Sequence, residues 1–401
     1  MRVLLTTMDS RGGVEPLAGL AAHLRALGHD ARIAAPPDCA DRLAEADVPL
    51  VPVGPSVRDL VHGAKPPSLA DIPRRAAEVT EAWFEQVLPA AVGCDALLAS
   101  GIIPAVAAGR SIAEKLGIPF VWVNYCPIFV PSPHFPVWPA PGRPFPAGVT
   151  DRAEQDALAR QGYHEIFGGA LNASRTKFGL APVDDVRGHI LTGHTWVAAD
   201  PVLAPWITPA EVDVVQTGAW ILPDERPLPA EVEAFLDAGE APVFMTFGSQ
   251  RAPEEFARVA VASARAHGRR VILSRGWSGL APLVDGDDCL SVGEINQQAL
   301  FRRVAAAVHH GGAGTTHTAA RAGAPQVVVP LMGDQPYFAA RVAALGIGAA
   351  HEGPVPSVDS LTAALEIALA PGTKARAAEV APTIRTDGTD VAAKELSACT
   401  R

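Results

Sequence analysis

Two adjacent histidines, His309 and His310, run into Gly311, Gly312, Gly314 and Thr315, and the polar pair Asp334-Gln335 follows a little further on. Residues of these types at this spacing suit the holding of an anion. Glycines make a turn that side chains cannot crowd, so backbone N–H groups point outward. A helix starting there adds roughly half a positive charge at its N-terminus. A histidine beside the turn can donate a further hydrogen bond to a phosphate, and can be cationic when needed. The glycines alone also fit an ordinary turn between strand and helix, with two satisfied histidines. Asp334-Gln335 tips the reading, because a carboxylate beside an amide suits a ligand that carries hydroxyls as well as phosphate.

The elements that must position these residues can be read on either side. Ala305 to Val308 is a short apolar run of strand type, Thr315 to Ala322 reads as a helix broken by Gly323 and Pro325, and Gln326 to Leu331 is a second buried strand. In a parallel sheet both turns open on one carboxyl-end edge, where ligands bind. The same pattern precedes them. Strands at Pro242 to Phe247, Val271 to Ser274 and Leu290 to Val292 lead into Gly248-Ser249, Arg275-Gly276-Trp277 and Gly293-Glu294-Ile295-Asn296-Gln297. Helices are expected at Pro253 to His267 and Gln298 to Arg303. Gly248-Ser249 is a second small-residue turn for a pyrophosphate. Trp277 offers a face for a planar base, a contact worth roughly 1–3 kcal/mol in nucleic-acid systems. Glu294 can accept from ribose hydroxyls. Together, at the carboxyl ends of one sheet, they point to a nucleoside diphosphate.

The first half alternates in the same way. Val3 to Thr7 is a strand, Met8 to Gly13 a polar turn, and Val14 to Leu27 a helix with Leu17, Leu20, Ala21, Leu24 and Leu27 on one face. Strands follow at Ala31 to Ala35, Pro49 to Val53, Ala96 to Ser100 and Phe120 to Asn124, with a helix at Ile103 to Leu116. Alternation of this kind predicts a parallel sheet with helices on both faces. The first turn lacks GxGxxG, and strand two ends in Pro36-Pro37 instead of an acidic residue, which argues against NAD.

From Asn124 to Gly148 eight prolines are interleaved with Tyr125, Phe129, Phe135, Trp138 and Phe145. Proline at this density forbids regular structure, so the segment reads as a long, stiffened loop, either packed on its own domain or forming a wall for a bulky apolar ligand. Asp151 to Phe178 is helical, Trp196 to Ala199 a strand, and Pro201 to Pro229 proline-rich with few periodic signals. The expected architecture is α/β, with two doubly wound Rossmann-like domains: 1–204, a linker at 205–230, a second domain at 231–385, and a C-terminal helix within 386–401.

With 401 residues, 48 % of them hydrophobic, the chain can bury two substantial cores. A net charge of −10 argues against a nucleic-acid partner. Five scattered cysteines without metal-ligand spacing read as free thiols, and neither a signal peptide nor a run of ~20 apolar residues is seen, so a cytoplasmic monomer off the membrane is expected. The one metal candidate is Asp285 and Asp287, which read as solvated turn chemistry; no metal is expected.

HHGGAGTTHTAARAGAPQVVVPLMGDQPYFAARVAALGIG resembles the donor-site signature of family 1, GT-B-fold glycosyltransferases. MRVLLTTMDSRG, VQTGAWILPDERPL, FGSQ, VILSRGW and CPIFVPSPHFP narrow the resemblance to the enzymes that glycosylate glycopeptide antibiotics of the vancomycin and teicoplanin group, and it covers essentially the whole chain. The resemblance implies inverting, metal-free transfer from a UDP- or TDP-sugar to a heptapeptide aglycone or its monoglycoside. It implies that Ser10, Arg11, Gly12, Gly248, Ser249, His309, Gly311, Gly312, Gly314 and Thr315 surround the pyrophosphate. Trp277, Gly293, Glu294 and Gln297 would surround the nucleoside, and Asp334 and Gln335 the sugar. Gly13, Tyr125, Phe129, Phe135 and Trp138 would face the acceptor, and the C-terminal helix near Asp390 to Ser397 would return to the first domain.

One departure matters. The group commonly carries an aspartate directly after S-R-G, and this chain has Gly13. Asp9, Asp334 or solvent would then take the acceptor's proton, and restoring aspartate at position 13 is expected to be tolerated. His309 is expected to donate to the departing diphosphate. A sugar-nucleotide epimerase of the same fold, and an inactive nucleotide-sugar-binding partner protein, are the alternative functions.

Overall fold

The computed structural model describes residues 1–62, 68–253, 255–277, 280 and 286–400, with the backbone alone for 60–62. The chain forms two compact units, the first of residues 1–199, 206–222 and 387–401, the second of residues 200–205 and 223–386. Each is a parallel sheet flanked by helices.

The first sheet has seven strands: β1 (Arg2–Met8), β2 (Asp30–Ala35), β3 (Leu50–Pro52), β4 (Ala96–Gly101), β5 (Phe120–Asn124), β6 (His194–Val197) and β7 (Val214–Gln216). Their order is β3-β2-β1-β4-β5-β6-β7, with every neighbouring pair parallel. β4 is buried from Ala96 to Ser100 and β5 throughout, because both faces of the sheet are covered. The core on one face joins Val3, Leu5, Leu98 and Val123 to Leu17, Leu20 and Leu24 of the first helix and to Ala392 and Leu396 of the last. That last helix, Gly388–Cys399, lies so close to the chain at residues 218–219 that a Cβ on Gly388 would come within 2.4 Å of the Ala219 carbonyl oxygen.

The second sheet has six: β8 (Val243–Thr246), β9 (Val271–Ser274), β10 (Cys289–Val292), β11 (Ala306–His309), β12 (Gln326–Val328) and β13 (Gly348–Ala350), in the order β10-β9-β8-β11-β12-β13. All five pairings are parallel. The alternation expected from the sequence is therefore present in both halves.

Three local differences bear on the site. The first helix runs Arg11–Ala26, not from Val14, so the first turn shrinks to Asp9 and Ser10 and both glycines lie inside the helix. The helix after His310 is Ala313–Ala322 and begins two residues earlier than expected. The proline-rich stretch expected as a linker carries β7, which extends the first sheet beyond β6. No helix among the described residues is long and apolar enough to cross a membrane.

Candidate active site

In the second unit five turns follow the strands along one carboxyl edge, and their order is the sheet order. β10 ends in Gly293 and Glu294, β9 in Gly276 and Trp277, β8 in Gly248 and Ser249, β11 in His310 to Thr315, and β12 in the loop to Asp334 and Gln335. Neighbouring turns touch. The Ser274 hydroxyl lies 3.5 Å from the Gly293 carbonyl oxygen, and Arg275 N–H donates to the Val292 carbonyl at 2.9 Å. A Cβ on Gly276 would lie 3.2 Å from the Gly248 carbonyl oxygen, and one on Gly248 3.0 Å from His310 Cε1. A Cβ on Gly311 would meet Val328 Cγ1 at 2.6 Å and the Gln335 carbonyl oxygen at 3.1 Å, so glycine is required there by contact as well as by its φ of +89°. Gln297 opens a short helix, Gln297–Leu300, capped by Asn296.

The part expected from the sequence to hold an anion is the start of the helix Ala313–Ala322. Its first bond runs from Thr316 N–H to the Gly312 carbonyl at 3.0 Å, so the N–H groups of Ala313, Gly314 and Thr315 have no partner within the helix. Gly314 is exposed, and the space where its side chain would stand is open. Donors and dipole therefore face the same side as His310.

The two histidines divide the work differently from the sequence expectation. His309 is the last residue of β11, between β8 and β12, and is fully buried. Its Nδ1 accepts from Gly311 N–H at 3.0 Å, so Nε2 carries the proton and donates to Gln326 Oε1 at 2.9 Å. Both ring nitrogens are occupied, and His309 has no hydrogen bond left for a phosphate. Burial holds its pKa down at about 4. It shapes the turn instead. His310, one residue beyond the strand, keeps an open edge, and its Nε2 lies 2.6 Å from where a Cβ on Gly312 would stand. Its Nδ1 is buried without a partner among the described residues. Burial, with His309 alongside, lowers its pKa to about 3, so the ring is neutral at pH 7.

Gln335 is also partly occupied. Its Oε1 accepts from Leu331 N–H at 2.7 Å and Met332 N–H at 3.1 Å, which closes the loop and leaves its NH2 to donate. Asp334, half-buried, precedes the helix Gln335–Ala344.

The first unit holds the remaining candidates. Asp9 follows β1, and Ser10 N–H donates to its Oδ1 at 2.6 Å. Burial outweighs that bond and pushes the Asp9 carboxyl up to about 6, while the residue keeps some exposure. A Cβ on Gly13 would lie 2.5 Å from both Asp9 Cβ and Asp9 Oδ2, so the Asp9 side chain fills the space that a side chain at position 13 would use. Gly13 has no positive φ, and the tolerance expected of aspartate there is corrected by this contact. The Tyr125 hydroxyl donates to the Gly13 carbonyl at 2.9 Å and lies 3.1 Å from Ser100 Oγ. Arg11 pairs with Glu15 at 3.3 Å one turn along, and Ser10 and Gly12 flank it. Of the loop aromatics, Phe135 is buried against Trp206, with ring centroids 6.2 Å apart, and packs on its own unit. Trp138 donates to the Ile128 carbonyl at 3.1 Å and lies 5.6 Å from Phe129, which stays 38 % exposed.

Asp285 lies outside the described residues. Asp287 is exposed, and Asp288 is held by Arg265 in two bonds of 2.7 and 2.8 Å. Among the described residues no group of three or more His, Cys, Asp or Glu could hold a metal ion.

Residues 3–132 match the glycosyltransferase family 28 N-terminal domain, and residues 283–392 match the erythromycin biosynthesis protein CIII-like C-terminal domain. The chain is 55 % identical to the vancomycin aglycone glucosyltransferase of Amycolatopsis orientalis, over 99 % of this chain and 97 % of the relative. It is 50 % identical to the dTDP-epi-vancosaminyltransferase of the same organism, over 95 % and 93 %. Among solved structures, the glycosyltransferase of kitacinnamycin superposes with a TM-score of 0.72 at 20 % identity, covering 100 % of this chain and 99 % of that one, a likeness of fold. Two parallel sheets, the arc of turns and these identities lead to one conclusion: the chain belongs to the GT-B-fold glycosyltransferases, among the relatives of the vancomycin-type glycopeptide sugar transferases.

Proposed function

We propose that this enzyme transfers a sugar from a UDP- or TDP-sugar to a hydroxyl of a vancomycin- or teicoplanin-type heptapeptide aglycone, with inversion and without a metal. The observation that carries the reading is the arc of five turns in sheet order, with His310 and three free helix N–H groups at its centre. In this reading the second unit, residues 200–205 and 223–386, binds the donor, and the first, residues 1–199, 206–222 and 387–401, binds the acceptor. Trp277, Gly293, Glu294 and Gln297 take the nucleoside. Gly248, Ser249, His310, Gly311, Gly312, Gly314 and Thr315 take the pyrophosphate, joined by Ser10, Arg11 and Gly12. Asp334 and the Gln335 NH2 take the sugar hydroxyls.

The acceptor hydroxyl gives its proton to the Asp9 carboxylate as its oxygen bonds to the anomeric carbon. The bond from that carbon to the diphosphate breaks, and its electron pair leaves with the nucleotide. Charge grows on the diphosphate oxygens, where donors fixed before the reaction are worth most. A pKa near 6 supports Asp9 as base, since it is ionised at neutral pH yet less acidic than a free carboxylate. Phe129 and Tyr125, with Trp138 behind Phe129, offer the acceptor an aromatic surface. Relatives whose names specify a vancomycin aglycone and a dTDP-sugar support the substrate classes. Five free cysteines support a reducing, cytoplasmic setting, and the net charge of −10 supports small-molecule partners over nucleic acid.

The test is mass spectrometry of the protein incubated with UDP- and TDP-sugars and a heptapeptide aglycone. A glycoside at the aglycone mass plus one sugar residue is expected. Epimerised free donor, or no product across the panel, would overturn the reading.

A further inference from the structure

After β6 the chain leaves the first unit at Ala199, spends residues 200–205 in the second, and returns at Trp206. Asp200, Leu203 and Ala204 are fully buried. The bonds that hold this excursion come from the two helices that start at the donor turns. Asp200 N–H donates to His317 Nε2 at 2.9 Å, so His317 Nδ1 carries the proton and donates to the Ala313 carbonyl at 2.7 Å. Ala313 is the first residue of that helix. Arg341, on the helix Gln335–Ala344, donates from Nε to the Leu203 carbonyl and from Nη2 to the Val202 carbonyl, both at 2.9 Å. Leu203 packs among Ala320, Val328, Ala339 and Val342, which come from both helices and from β12 between them. His317 meets the Phe338 ring edge-on at 5.7 Å, closing the contact between the helices.

We propose that residues 200–205 are a wedge that sets the donor site, with His317 and Arg341 as positioning residues for the helix ends at Gly312 and Asp334. The inference rests on the donor reading above. Its physical basis is short range: hydrogen bonds to a diphosphate weaken steeply when donors shift or tilt, and a wedge saturated from both sides leaves the helices one arrangement. The Asp200 carboxylate fixes the wedge in turn, accepting from Val202 N–H at 2.8 Å and from Arg385 N–H at 2.7 Å.

Titration calorimetry of the full chain with UDP and with TDP tests this, alongside donor and acceptor KM and the melting temperature. Arg341→Lys removes the two-pronged hold while keeping the charge. It is expected to weaken the tighter-binding nucleotide by roughly 5–30-fold and to raise donor KM by the same factor. Acceptor KM is expected to stay within about twofold of the parent, since the two bonds that Arg341 makes to the wedge lie within the second unit. A lower melting temperature with unchanged nucleotide affinity would overturn the proposal, because that is what packing alone would give. Should Arg341→Lys fail to fold, His317→Gln carries the same test; one amide cannot reproduce both imidazole bonds, and unchanged affinity there is equally fatal. A parent that binds neither UDP nor TDP would overturn the donor reading first.

Discussion

Asp9 carries opposed demands at one carboxyl. A folded-state pKa of about 6, above the 3.8 of an ordinary aspartate, means the folded protein binds this proton more tightly than the unfolded chain. Stability from that proton is complete below pH ~4 and is lost as pH rises through about 6. At neutral pH the ionised carboxylate therefore works against the fold while it is the form a base needs. Asp9→Asn is expected to raise the melting temperature at pH 7–8 by on the order of 2 °C. The same variant is expected to cut kcat by ~10²–10⁴ and to abolish a rising limb near pH 6 in kcat/KM for the acceptor. An unchanged pH profile would remove Asp9 from the chemistry. Position 13 is tied to it: Gly13→Asp forces a Cβ to 2.5 Å from Asp9 Cβ, so that single change is expected to destabilise and to lose activity. Combining it with Asp9→Gly empties the contested space and leaves one carboxylate near it. The double variant is expected to recover at least ~10-fold of the turnover lost by Asp9→Gly alone; no recovery would show that the carboxylate must come from the turn after β1. The histidines give a separate contrast. His310→Ala is expected to lower kcat by ~10²–10³ with little change in melting temperature, by analogy with removing one oxyanion donor. His309→Ala leaves Gln326 and Gly311 N–H without partners in a buried site, so its first effect is expected on stability.

At the scale of elements, glycine decides where the turn after β11 can go. Gly311→Ala places a methyl 2.6 Å from Val328 Cγ1 at a φ of +89°, so the turn must move away from β12. Donor KM is expected to rise at least ~10-fold while acceptor KM holds, and an unaffected donor KM would mean that the turn does not cradle the diphosphate. The turn was legible in the sequence because an apolar run, three glycines and a helix follow one another with no competing pattern. The assignment between the histidines was not, because it depends on whether the strand ends at Val308 or His309, and one residue reverses which ring points inward. The first helix shows a similar limit. Gly12 and Gly13 read as turn residues by propensity, yet the helix starts at Arg11 because Val14, Leu17, Leu20 and Leu24 bury its face. β7 and the wedge at 200–205 escaped for another reason. Three residues of strand among prolines carry no periodicity, and a buried Leu203 held by Arg341 is a relation between positions far apart in the chain.

The molecule as a whole carries a net charge of −10, and its proposed donor carries a diphosphate, so binding must come from local fields that oppose the overall one. Two means are available in the second unit. The helix Ala313–Ala322 presents the N–H groups of its first turn and the positive end of its dipole, and His310 adds a neutral donor beside Gly312. Neither requires a cation, and both act at a distance of one hydrogen bond, where screening by salt is weak. The acidic run at residues 285–288 is the competing possibility, since a divalent ion there would bring charge to the diphosphate directly. Its Asp288 is engaged by Arg265 in two charge-assisted bonds, and Asp287 is exposed at the turn before β10. A cation held by Asp287 would stand at the amino end of β10, whereas the arc of turns lies at the carboxyl ends. Activity is therefore expected to persist in EDTA and to change less than about twofold on adding magnesium. Initial rates of glycoside formation, with EDTA in excess over any carried-over metal, are the measurement. Loss of activity in EDTA that magnesium restores, and that Asp287→Asn prevents magnesium from restoring, would transfer the role from helix dipole and His310 to a bound ion.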